Sequence, residues 1–129
     1  MIFGIGVDLV EIERIQKLIR RYGSRFFKKL GNPKEIADSP KKEPLQSKYW
    51  ASRFAAKEAF SKALGTGLGK TVPLQSVFIA KEKSGKPILK FQMDLEKRLR
   101  QRKIISTHLS LSHTDQYTIA LVVLESQER

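Results

Sequence analysis

Asp8, Glu58 and Lys62 are the residues of this sequence best suited to chemistry. Asp8 interrupts the apolar run of Ile5, Val7, Leu9 and Val10. A carboxylate in a buried strand is costly unless it is paired, protonated or metal-bound. The alternative is that it faces out at the strand end or caps the next helix. Glu58 and Lys62 are four apart with the acid first, the favourable order for a simple helical surface pair. Against that reading, the same stretch carries Arg53 and Lys57 among aromatic and alanine positions, so it has little polar face to spare. Two carboxylates from separate elements could instead share a hard cation. Magnesium takes one or two carboxylates, with waters and phosphate oxygens completing its shell. Lysines, an arginine and a glycine-rich stretch nearby would complete a polyphosphate site. Ser112-His113 stands at a predicted strand end, where a lone histidine is either structural or a donor to a phosphate. No His/Cys cluster points to zinc, and no spacing suggests an acyl-transfer triad.

The string "GTGLGKT", residues 65–71, ends like a nucleotide-binding loop. That motif needs glycine, four residues, then Gly-Lys-Ser/Thr, and the required glycine position is Leu64. The motif also leaves a strand and enters a helix, whereas here a helical pattern precedes the glycines and Pro73 follows. A glycine helix stop with a turn is the simpler reading, and Lys70 and Thr71 are given no role.

The elements that must position these groups follow from periodicity. Ile2 to Val10 reads as a strand, apolar on both faces and therefore buried. Glu11 to Tyr22 reads as a helix with Ile12, Ile15, Ile19 and Tyr22 on one face, stopped by Gly23. A short second helix in "SRFFKKLGNP" is ended by Gly31 and Pro33, and Asp38 to Pro44 reads as a surface loop. Pro44 opens a long helix to Leu64, closed by Gly65. Tyr49, Trp50, Phe54, Phe60 and Leu64 form one stripe of it, and Ala51, Ala55, Ala59 and Ala63 another, so it is a central, buried helix. "SVFIAKEKSGKPILKF" reads as a hairpin turning near Ser84-Gly85, and "MDLEKRLRQRK" as a short basic helix. "THLSLSHT" and "YTIALVVLE" are closing strands joined at Asp115-Gln116. The expectation is one α+β domain spanning residues 1–129.

Composition bounds the partners. The 129 residues carry 25 Lys+Arg against 13 Asp+Glu, a net charge of +12. A field of that sign recruits an acidic partner: nucleic acid, an acidic protein, a polyphosphate or an anionic membrane surface. No apolar run reaches the ~18 residues that would suggest a spanning helix. "MIFGIGVDLV" lacks a basic n-region and is interrupted by Asp8, which argues against a signal peptide. The absence of cysteine excludes disulfides and thiolate metal sites and fits a reducing cytosol, so a cytoplasmic location is expected.

"GIGVDLVEIERI", "RFAAKEAFSKALGTGLG", "SGKP" and "LSLSHTDQYTIALVVLE" together resemble, nearly end to end, the holo-acyl-carrier-protein synthases, the short class of 4′-phosphopantetheinyl transferases. The resemblance implies that family's fold: a leading strand, a helical block with a long central helix, and a mostly antiparallel sheet. It implies magnesium-dependent transfer of 4′-phosphopantetheine from coenzyme A to a serine of apo acyl carrier protein, in fatty acid biosynthesis. The products are holo carrier protein and adenosine 3′,5′-bisphosphate. Asp8 and Glu58 match the magnesium ligands, and Lys62 the lysine near the transferred phosphate. Arg53, Lys62, Gly65, Thr66, Gly67 and His113 match positions lining the coenzyme A site, with the amides of Gly65 to Gly67 as phosphate donors. Arg14, Arg21 and Phe26 lie where the family docks the acidic carrier. The family's homotrimeric assembly, with sites at subunit interfaces, is implied as well, with neither nucleic acid nor membrane as partner. Two departures bear on the carrier contacts. Gly31-Asn32 replaces the usual Leu-Thr start of one element, with Glu35 as its acidic match, and the 38–46 loop is rich in lysine and proline. The alternative from charge alone is a basic nucleic-acid-binding module, for which "EKRLRQRK" speaks. The chain lacks zinc-finger spacing, an aromatic RNA-binding strand motif and an arginine-rich tail. A noncatalytic scaffold of the same fold is a third reading.

Overall fold

The computed structural model describes residues 1–65 and 73–127. β1 (Ile2–Glu11) leads into α1 (Ile12–Tyr22), α2 (Ser24–Leu30), α3 (Pro33–Asp38) and the long α4 (Leu45–Leu64). A single 3-10 turn (Leu74–Ser76) precedes β2 (Val77–Lys81), β3 (Pro87–Phe91), α5 (Met93–Gln101), β4 (Ile104–His113) and β5 (Tyr117–Ser126). β5 is central to an antiparallel sheet of order β1-β5-β4, and β2 and β3 form a separate hairpin. Helices and antiparallel strands are segregated along the chain, so the fold is α+β as expected.

α4 is the core of the molecule. Trp50, Ala51, Ala55, Ala56, Ala59 and Phe60 are completely buried. Trp50 packs on Phe26 and Phe27, while Phe60 packs on Phe91 of the hairpin. The alanine stripe meets β1 at close range. A Cβ on Gly4 would lie 1.9 Å from the carbonyl oxygen of Ala63, and one on Gly6 would lie 1.8 Å from that of Ala59. Only glycine permits that approach of strand backbone to helix backbone. At its end α4 turns into the left-handed region at Gly65 (φ 84°), whose N–H donates to the Ser61 and Lys62 carbonyls. This is the glycine stop read from the sequence. The hairpin likewise turns at Gly85, with φ 90°.

Two expectations are corrected. β1 is not buried on both faces. Gly6 and Val10 point into the core, but Ile5 and Leu9 are 57% and 62% exposed. β1 is an edge strand of a single sheet, and α4 covers only one side of it. In register, Ile5 faces Val123, Val7 faces Leu121 and Leu9 faces Ile119, so the outer side of β1 and β5 is one apolar stripe. A run of apolar residues cannot by itself tell a strand buried by its own chain from one with an uncovered apolar face. The second correction concerns Pro33, read as part of a stop. It opens α3, a favoured place for proline because the first helical turn needs no donor there. Asn32 caps that helix: its Oδ1 accepts from Lys34 N at 2.9 Å, and Glu35 Oε1 accepts from Asn32 N at 3.0 Å.

Gly6→Ala should destabilise the fold by about 3 kcal/mol or more, the upper end of overpacking costs, because the clash is with backbone. The lowered urea midpoint, with unchanged denaturant slope, measures it.

Candidate active site

Side chains alternate along β1, so Asp8 shares the helix-facing side with Gly4 and Gly6. The glycine contact brings it to α4, where Lys62 Nζ lies 3.0 Å from Asp8 Oδ1 and donates to the Val7 carbonyl at 2.9 Å. The Asp8 side chain is 16% exposed and that of Lys62 54%. Glu58 sits one turn before Lys62 on the same flank. Partial burial raises its pKa, and the charge of Asp8 raises it further; Lys62 and Arg14 pull it back. Asp8 is therefore not a helix cap: Glu11 stands at that position of α1, without a side-chain capping bond. The Glu58–Lys62 pair is not a plain surface pair either, because the lysine is committed to β1. Two carboxylates placed together on one flank of α4, open to solvent on one side, form a set of hard oxygen donors suited to a small divalent cation.

Arg14 belongs to this group through its field at Glu58, and its guanidinium stands 5.8 Å from the Phe54 ring. Arg14, Lys17, Leu18 and Arg21 follow one face of α1 at helical spacing. Beside that face is a cavity of about 490 Å³ between α1, α2 and α4. Leu18, Tyr22, Phe26, Leu30, Phe54 and Leu74 line it, and Arg25 and Lys29 bring positive charge to it. Phe26 meets Trp50 and Phe27 edge-on at its inner side.

Arg53 and His113 share neither the flank of α4 that carries Glu58 and Lys62 nor the strand that carries Asp8. Arg53 is five residues before Glu58, about 140° around the helix. Its guanidinium stacks 3.6 Å from the centre of the Tyr49 ring and donates to Ser52 Oγ at 3.0 Å. Burial lowers its pKa, and among the described residues its buried Nε has no hydrogen-bond partner. His113 is exposed at the end of β4, in register with Thr118, whose neighbour on the other side is Val10. A whole strand therefore separates it from β1. The amide of Gly65 is already spent on the Ser61 and Lys62 carbonyls, so at that position the expected backbone donor to a phosphate is engaged within the helix end. Thr66 and Gly67, like Lys70 and Thr71, lie outside the described residues.

Lys57, grouped in the sequence with the possible site charges, has a different part. It is buried completely against Glu35 of α3, with Nζ 2.8 Å from Oε1. The Asn-x-x-Glu spacing at 32–35, a capping-box pattern, was the available signal that Glu35 turns inward. Leu18, one turn after Ile15, was likewise legible as part of an apolar patch.

The family model described as the 4′-phosphopantetheinyl transferase superfamily matches residues 4–122. The chain belongs to that superfamily. It is 42% identical over 125 residues to the holo-[acyl-carrier-protein] synthase of Dechloromonas aromatica, covering 97% of this chain and 98% of that one. Among solved structures, the holo-[acyl-carrier-protein] synthase of Neisseria meningitidis superposes with a TM-score of 0.91 at 36% identity, over 98% of this chain and all of that one (100%). The Bacillus anthracis synthase, solved in complex with CoA (3′,5′-ADP), gives a TM-score of 0.79 at 38% identity, over 98% and 99% of the two chains. The resemblance read from four short strings therefore extends over the whole fold. This transferase has, among its described residues, no helix long and apolar enough to cross a membrane.

The raised pKa of Glu58 has a thermodynamic consequence. A carboxyl whose pKa is higher folded than unfolded contributes stability below its unfolded pKa, near 4.3, and loses it as pH rises through the folded value. Without divalent cations, Glu58→Gln should melt higher than the wild type at pH 7, and the gap should close near pH 4. Thermal melts across that range in chelator measure it, and magnesium at pH 7 should raise only the wild-type melting temperature.

Proposed function

We propose that this transferase moves the 4′-phosphopantetheine group of coenzyme A onto a serine hydroxyl of an apo acyl carrier protein. The reading places the reaction in fatty acid biosynthesis in the cytoplasm, with Asp8 and Glu58 holding Mg²⁺. The observation that carries it is the meeting of Asp8 from β1 with Glu58 and Lys62 from α4, in a chain of this family. The oxygen donors of the two carboxylates suit magnesium, and Glu58's raised proton affinity is what an incoming cation would relieve. When bound, magnesium would neutralise charge on the pyrophosphate oxygens.

In the reaction the serine oxygen attacks the phosphorus that bears pantetheine. The bond from that phosphorus to the bridging oxygen breaks, and adenosine 3′,5′-bisphosphate leaves. Glu58 accepts the serine proton, directly or through a water that it orients. Lys62, released from Asp8, turns its ammonium to the leaving phosphate and stabilises or protonates it. The cationic face of α1, with Arg14, Lys17 and Arg21, draws in an acidic carrier helix. Phe26 and the cavity beside it receive an apolar side chain from that helix.

Arg53 and His113 stand too far round the fold to join Asp8 within one chain. On this reading they reach the coenzyme A phosphates of a neighbouring subunit, in a homotrimer that covers the apolar stripe of β1 and β5. The relatives named as synthases, one of them in complex with coenzyme A, support the substrate pair.

Mass spectrometry tests the reaction. Coenzyme A, magnesium and apo carrier protein should yield carrier heavier by one phosphopantetheine. Asp8→Ala and Glu58→Gln should each slow that transfer at least ~100-fold at every magnesium concentration. Near wild-type rates in both would remove the metal and base assignments. The assembly has its own measurement: Leu9→Glu should turn a trimer into monomers by light scattering, with loss of transfer. A wild-type monomer active on its own would overturn the shared site.

A further inference from the structure

Of the four charged side chains that α4 carries between residues 53 and 62, Lys57 has no part in the proposed transfer. It faces away from Asp8, and its ammonium has three hydrogen-bond acceptors: Glu35 Oε1 at 2.8 Å, the Leu74 carbonyl at 3.1 Å and the Leu30 carbonyl. An ammonium has three protons to give, and all are used. Glu35 accepts also from Asn32 N at 3.0 Å and Ile79 N at 3.1 Å. Leu30 is the last residue of α2 and Leu74 the first of the 3-10 turn, and both line the apolar cavity beside Phe26. A second bond joins the same two segments: Gln75 Nε2 donates to the Lys28 carbonyl at 2.8 Å.

We propose that the buried Lys57–Glu35 pair positions the wall of the carrier-docking cavity by holding the Leu30 and Leu74 carbonyls on one ammonium. The inference rests on the carrier docking proposed above. Stability alone does not account for the pair, because well-packed apolar residues of the same volume stabilise a core as well or better. What apolar residues cannot do is tie two carbonyls from separate segments to one point. Burial also lowers the pKa of Lys57, and the Glu35 carboxylate beside it opposes that shift. The gap between Leu30 and Leu74 sets the shape offered to an incoming side chain, and therefore the affinity for the carrier. The coenzyme A side of the enzyme depends on a different contact, the approach of Gly4 and Gly6 to α4.

Transfer kinetics with apo carrier and coenzyme A titrated separately test this. Lys57→Met should raise the KM for carrier about tenfold and change the KM for coenzyme A less than about twofold. Lys57→Met leaves Glu35 buried without its cation, so the milder Gln75→Ala is measured alongside and decides the matter if Lys57→Met does not fold. It should raise the carrier KM about threefold with the same separation. A merely structural pair would lower the active fraction, and with it kcat, without separating the two KM values. Both KM values moving together, or an unchanged carrier KM in the folded variants, overturns the proposal. Phe26→Ala separates this from the docking reading. If it leaves the carrier KM unchanged, docking at this cavity is wrong. If it raises that KM while the other variants do not, the cavity is right and the positioning role is wrong.

Discussion

β1 rests on α4 with almost nothing between their backbones, and the site depends on that contact. Glycine at positions 4 and 6 removes the strand's side chains where they would strike the Ala63 and Ala59 carbonyls. Alanine at 59 and 63 keeps the helix surface low on the same line. Asp8, the next residue on that side of the strand, therefore meets α4 at once and lies 3.0 Å from Lys62. Helical periodicity does the rest, stacking Glu58 one turn from Lys62. The arrangement buries part of Glu58 and sets the charge of Asp8 beside it, and burial first and that charge second raise its proton affinity. A larger residue at either glycine would relieve that repulsion by lifting the strand, and would dismantle the group that could hold a cation.

Two of the lysine–carboxylate pairs on α4, those of Lys57 and Lys62, have surroundings that give them opposite characters. Lys57–Glu35 is wholly buried, and both partners are also bonded to backbone groups of several segments. Breaking it would strand charge in a low-dielectric interior, so it behaves as fixed framework. Lys62–Asp8 is half open to solvent, where an ion pair is worth little and exchanges readily. It can give way to a cation or a phosphate at small cost. One helix therefore presents a rigid flank and a labile flank, and five residues of sequence separate the two lysines.

The central helix, its glycine stop, the hairpin turn and the closing strands were legible because each has a local cause: period, proline, or a glycine with positive φ. The candidate pair Asp8 and Glu58 was legible for a different reason, as charge in places where charge is expensive. What the sequence concealed was non-local. Nothing near Lys57 shows that its partner is Glu35, twenty-two positions earlier. Nothing in "IGVDLV" shows that Ile5, Val7 and Leu9 look outward, because an apolar run does not mark which side the rest of the chain will cover. Arg53 was read with the phosphate-binding positions, but its stacking on Tyr49 depends on the rotation of α4, which tertiary contacts fix.

That rotation also bears on how many copies make one site. Arg53 and Glu58 project about 140° apart on a straight helix, so one phosphate chain cannot touch both within a single copy without wrapping the helix. His113 is separated from Asp8 by β5. At the same time, the face of the sheet away from α4 exposes Ile5, Val7, Leu9, Ile119 and Leu121 in register across two strands. An apolar patch of that continuity is unfavourable in water unless something covers it. Covering it with further copies of the same chain, as proposed, would answer both problems at once. In the assembly proposed above, the sheet face would lose its water, and the edge of one copy, where β1 carries Asp8, would come beside residues of another that its own fold leaves out of reach.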